Sequence, residues 1–133
     1  AIWSTGLPPN GALTVEVTLD DFINAGVLRS NAKEWAGRYV YVFEDGKGIH
    51  RGDGDTWHLV CPFTAKVIED FVRITFVDQG LGNYDCGVEE DDIQWRLDAD
   101  GLHFNFVANH GGGPVVEITV LYETRPWQKV ADQ

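Results

Sequence analysis

The sequence predicts an all-β domain, a single antiparallel up-and-down β-barrel of about eight or nine strands with one short N-terminal helix. Three observations carry that expectation. Turn residues recur at short intervals from Gly37 onward, as "EDGKG" (44–48), "RGDGD" (51–55), "DQGLGN" (78–83), "DADG" (98–101) and "NHGGGP" (109–114). The runs between them are rich in β-branched and aromatic residues and alternate apolar with polar positions, as half-buried strands do. Seven Phe, five Trp and four Tyr supply large packing units in a chain of 133 residues, enough for one domain with one core.

Residues 1–11 read as an N-terminal extension of a single domain spanning 1–133. "ALTVEVT" (12–18) alternates Leu13, Val15 and Val17 against Thr14 and Glu16, the pattern of a first strand. Thr18 can then cap "LDDFINAGV", with Asp20 and Asp21 in the positive first turn and Gly26 placed to end the helix. "RSNAKEW" (29–35) can add another turn. Strands follow at "GRYVYVF" (37–43), "KGIHR" (47–51), "TWHLVC" (56–61), "FVRITFV" (71–77), "DIQWRL" (92–97), "LHFNFV" (102–107) and "VVEITVLYE" (115–123). "CPFTAKVIED" (61–70) reads either as a loop with a short helix or as an irregular strand. Short hairpins leave two exposed edges unless the sheet closes, which favours a barrel. A β-sandwich is the alternative, but its long crossovers are hard to find here.

Twenty-one acidic against ten basic residues give a net charge of −11, which repels phosphate backbones and anionic lipid heads. Nucleic acid is therefore a poor candidate partner. No apolar run approaches the roughly 18 residues that span a bilayer, so membrane insertion is not expected either. A chain that opens at Ala1 and holds no methionine fits a processed or trimmed polypeptide. Cys61 and Cys86 are the only cysteines, compatible with one disulfide and an oxidising, secreted or extracellular setting; the alternative is two reduced, buried thiols.

An eight-stranded barrel is just wide enough to fill with its own side chains or to hold one small ligand. "RYVYVF" puts Tyr39, Tyr41 and Phe43 on one face, Trp57 pairs with Leu59, and the hairpin "IQWRLDADGLHFNFV" adds Trp95, Phe104 and Phe106. With Phe76 and Tyr122, these aromatics are the candidate ligand-binding residues, and a self-filled core is the plain alternative. Buried Tyr and Trp need hydrogen-bond partners, so a lumen holding several of them is amphipathic and suits a small hydrophobic or polyunsaturated molecule. Lys33, Lys66 and the segment "AIWSTGLPP" are candidates for its mouth.

Other chemistry finds less support. His50, His58, His103 and His110 lack compact metal-ligand spacing, although separate strands could bring the first three together; His103 is expected to face solvent. "EEDD" (89–92) reads as a solvated turn rather than a calcium loop, and "DADG" as a hairpin turn with Gly101 at a positive-φ position. No G-x-S-x-G occurs, and Ser4 and Ser30 precede the barrel strands. No metal or cofactor is expected.

The ordered features "AGRYVYVFEDGKG", "DADGLHFNFV" and "YETRPWQKV" resemble small calycin-like, lipocalin-like β-barrel modules of secreted actinobacterial proteins, some appended to extracellular solute-binding proteins. The matching positions are Gly37, Tyr39, Asp45 and Gly46, then Trp95, Asp98, Asp100, Gly101, Leu102 and Phe104, then Tyr122, Thr124, Pro126, Trp127 and Lys129. The lipocalin opening G-x-W stands here as "GRY". The resemblance implies an architecture and leaves the function open between two readings. One is a barrel that binds a small hydrophobic molecule. The other is a cofactor-independent cyclase, isomerase or Diels–Alderase that folds a flexible substrate in the same cavity, where positioning alone lowers a barrier.

Overall fold

The turn and strand pattern folds into one antiparallel sheet: β1 (Gly11–Val17), β2 (Gly37–Glu44), β3 (Lys47–Asp53), β4 (His58–Ile68), β5 (Phe71–Phe76), β6 (Glu90–Asp98), β7 (Gly101–His110) and β8 (Gln128–Lys129). The computed structural model describes residues 2–77, 86 and 89–130. Each strand from β1 to β7 pairs with its sequence neighbour, and β8 lies on the outer side of β1. The sheet curls into a half-barrel whose concave face holds the core. Just before β8, Trp127 exchanges backbone hydrogen bonds of 2.8 and 2.9 Å with Leu102 of β7. The predicted turn "DQGLGN" lies outside the described residues.

Local chemistry sets the hairpins and the first helix. Asp45 and Gly46 both take positive φ, 50° and 82°, between β2 and β3. An Asp-Gly pair meets the demand of a two-residue turn whose twist matches the strands. The Asn10 side chain ties this turn to the N-terminal segment, accepting from the Asp45 amide at 3.0 Å. Helix α1 (Leu19–Asn24) begins with a complete capping box, in which Thr18 Oγ1 accepts from the Asp21 amide at 3.2 Å and Asp21 accepts from the Thr18 amide at 2.8 Å. A second helix, α2 (Arg29–Trp35), follows it.

Two segments differ from their sequence reading. "CPFTAKVIED" continues β4, which pairs with β3 through Thr64 and with β5 from Phe63 on, so one long strand serves two neighbours. Pro62 brings no N–H, but its carbonyl accepts from Val77 at 3.0 Å. Cys61, Phe63 and Ala65 alternate into the core.

"VVEITVLYE" is not a strand but helix α3 (Val115–Glu123). Its β-branched residues favour a strand locally, yet Ile118, Leu121 and Tyr122 stand at i, i+3 and i+4 and bury together, while Val115 and Val116 are exposed. Packing this face outweighs the propensity, and Pro114 at the cap lets the chain turn into the helix. Among the described residues there are thus three helices rather than one, and none of them is long and apolar enough to cross a membrane.

The middle of the core is an aromatic cluster. Trp127 is fully buried and meets Phe104 edge-on at 5.5 Å and Tyr41 at 5.4 Å between ring centres. Phe63 packs against both Tyr41 and Phe43 at 5.5 and 5.4 Å. Glycine makes room for the Trp57 ring: a Cβ on Gly52 would lie 2.7 Å from it. Cys61 and Cys86 form a disulfide with Cα atoms 5.6 Å apart, at a sequence separation of 25.

Candidate functional site

Bordering the aromatic cluster, and sharing Tyr41 with it, is a cavity of about 270 Å³ that opens on one side. That is just under the roughly 300–1,000 Å³ of drug-sized sites, so an occupant must be small. β2 supplies Tyr39 and Tyr41, β3 His50, and β4 Leu59 and Cys61, with Trp57 just before it. Phe76 ends β5, Asp91 is the second residue of β6, and α3 contributes Ile118, Leu121 and Tyr122. Glu34 and Trp35 of α2, with Cys86 and Glu89, complete the lining among the described residues. Glu34 is exposed and marks the open side.

The polar groups in this wall are linked. Tyr122 donates to Asp91 Oδ2 at 2.7 Å, and Asn109 donates to Asp91 Oδ1 at 2.7 Å. The Tyr122 hydrogen is committed to the carboxylate, so in the 2.5 Å contact between the two phenol oxygens Tyr41 donates to Tyr122. Burial raises the Asp91 pKa, opposed by its two hydrogen bonds. Burial, and then repulsion from Asp91, raises that of Glu89. Tyr41 and Tyr122 are pushed well above the usual phenol value, first by burial and then by the Asp91 charge.

His50 is 5% exposed and lies between Tyr39 and Tyr41, with ring centres 5.7 and 4.1 Å away. Its Nδ1 contacts the Val40 carbonyl at 3.2 Å. A carbonyl only accepts, so Nδ1 carries the hydrogen. Burial pulls the pKa from 6.5 to about 4, partly opposed by Val40, and the ring is neutral at pH 7. Its Nε2 therefore presents a lone pair, and no hydrogen bond engages it among the described residues.

The residues singled out from sequence divide between wall and core. Tyr39, Tyr41, Trp57, Phe76 and Tyr122 border the cavity. Phe43 and Phe104 belong to the packed cluster, with Phe104 and Tyr41 6.0 Å apart. Phe106 is half-buried and stacks on Tyr122 at 5.8 Å. Trp95 is half-buried away from the cavity; its indole donates to the Gly6 carbonyl at 2.8 Å, and its backbone pairs with Ser4. The N-terminal segment thus runs along β6 instead of over the cavity mouth, and neither Lys33 nor Lys66 borders the opening.

Two further readings are corrected. "EEDD" is not a solvated turn, because Glu90 to Asp92 open β6 and both Asp91 and Asp92 are buried. Alternation sends Asp91 inward, while Asp92 takes two hydrogen bonds from Arg73, at 2.8 and 3.1 Å, and lies 2.7 Å from His110 Nε2. The structure also keeps His50, His58 and His103 apart. His58 pairs with Asp53 on the surface. His103 is half-buried rather than solvent-facing, 2.7 Å from Asp100 and 3.8 Å from Asp98. Those three are the one group with metal-ligand spacing among the described residues, and they form an ion-paired hairpin turn.

Comparison with models of protein families, with curated proteins and with solved structures finds no match. The geometry of the cavity therefore carries the functional reading.

Proposed function

We propose that this protein binds a small, largely apolar organic molecule in the cavity between the concave face of the sheet and α3, and that the sheet acts as a calycin-like barrel around it. One observation carries the reading: the wall combines aromatic rings with a few buried, mutually ordered polar groups, the composition of a ligand pocket rather than of a packing defect. The Leu102–Trp127 hydrogen bonds support closure, because they join the end of the chain to β7 beyond the edge strand β8. The disulfide fits an extracellular setting.

The test is fluorescence titration with N-phenyl-1-naphthylamine, a neutral aromatic dye, on the protein and on an Ile118→Trp variant that fills the cavity. Saturable, blue-shifted emission that the variant loses supports the reading. Absence of saturable binding to the folded protein, or binding that the variant retains, overturns it.

The buried Asp91–Tyr122–Tyr41 chain favours a second reading, in which the same cavity orients a substrate for cofactor-independent isomerisation or cyclisation. Turnover of a bound polyene, lost in Asp91→Asn with binding retained, would mark that activity.

A further inference from the structure

Resting on the ligand-binding reading, we infer that the cavity selects a protonated organic amine with a small aromatic or aliphatic body. The argument is an inventory of what the wall still offers. The Tyr122 hydrogen goes to Asp91 and the Tyr41 hydrogen to Tyr122. Tyr39 donates to the Trp35 carbonyl at 2.6 Å. The Trp57 indole aside, the wall's remaining capacity is to accept: the Nε2 lone pair of His50 and the carboxylates of Asp91, Glu89 and Glu34. No lysine or arginine borders the cavity among the described residues.

An occupant that satisfies this wall must donate hydrogen bonds and carry positive charge. A carboxylate ligand would meet three acids and no cation. A neutral ligand would leave the repulsion between Glu89 and Asp91 in place, whereas an ammonium group relieves it and gains charge-assisted hydrogen bonds. The wall also holds the aromatic rings of Tyr41 and Phe76, both packed against His50, and aromatic surface attracts a cation. His50 gives an independent reason to look for a donor, because a nine-tenths-buried imidazole whose lone pair no described residue engages is costly unless a ligand or water completes it.

The test is calorimetric titration at pH 7.5 and 0.15 M salt, which screens the long-range field of the net −11 charge, with three near-isosteres: phenethylamine, 2-phenylethanol and phenylacetate. The amine should bind at least about tenfold more tightly than the alcohol, as a charged hydrogen bond implies, and phenylacetate should not bind. Glu89→Gln should cut the preference for amine over alcohol severalfold. Glu34→Gln, at an exposed position, reads the same preference should Glu89→Gln not fold. Alcohol binding as tight as amine binding, or an unchanged preference in the folded carboxamide variants, overturns the inference and leaves the cavity reading intact. Failure of all three ligands together with the neutral dye overturns both.

Discussion

His50 should make the fold sensitive to mild acid. Its pKa falls from 6.5 to about 4 on folding because the folded chain buries the ring. Between those values the unfolded chain holds a proton here that the folded chain lacks, so stability rises with pH across the window. The contribution is complete above the unfolded value and is lost as pH drops from 6.5 to about 4. Integrated over that span, at about 1.4 kcal/mol per pH unit, it comes to roughly 3 kcal/mol. Asp91 and Glu89 act in the opposite sense, because their raised pKa values let the folded state take up protons first as pH falls. Asp92 and Asp21 have lowered values, so their contributions are lost as pH falls from the ordinary carboxylate value of 3.8 through the lower folded-state values. The wild-type curve mixes these signs, and comparison with His50→Phe isolates the imidazole. Urea unfolding from pH 7.5 to 4 should show the wild type losing about 1–3 M more in midpoint than the variant, given a slope of about 1–3 kcal/mol/M. Parallel pH profiles, or an NMR titration placing His50 near 6.5, would refute the reasoning.

Three further perturbations probe the frame. Reducing the Cys61–Cys86 bridge, with its separation of 25 residues, should cost roughly 3 kcal/mol and lower the melting temperature by about 10 °C, read by thermal unfolding with and without reductant. Tyr122→Phe removes a donor from buried Asp91 and the acceptor of Tyr41, and should cost about 1–3 kcal/mol, more than Tyr41→Phe; the reverse order in denaturant unfolding would contradict the assigned direction of the hydrogen bonds. Trp127→Ala should cost about 3–5 kcal/mol as a core truncation, and Trp95→Ala clearly less, because Trp95 is half-buried; equal losses would contradict the division between core and edge.

The strands were legible wherever period-2 alternation and a turn residue agreed. β2, with Tyr39, Tyr41 and Phe43 inward, and the Asp45-Gly46 turn are the clearest cases. The capping box of α1 was legible because Thr18 and the acids after it act locally. Helix α3 was not, since its β-branched run has strand propensity and the deciding force is tertiary burial of Ile118, Leu121 and Tyr122. The i, i+3, i+4 spacing of those residues after Gly-Gly-Gly-Pro was the signal to weigh.

Of the cavity wall, the large aromatic side chains are legible in the sequence pattern and the polar groups are not. A run of four acids reads as solvated, and only the strand pairing that turns Asp91 toward Tyr122 reveals the buried carboxylate. His50 stood out only as a possible metal ligand, because its burial depends on Tyr39 and Tyr41 from the neighbouring strand.

The most direct test of the cavity as a binding site is a crystal structure of the protein with N-phenyl-1-naphthylamine or phenethylamine. The account predicts the ligand inside the half-barrel, its ring against Tyr41, Phe76 and Tyr122 and any ammonium group within hydrogen-bond reach of His50 Nε2 and Asp91. A ligand seated on the outer face of the sheet, or a cavity closed by its own side chains in the crystal, would contradict it.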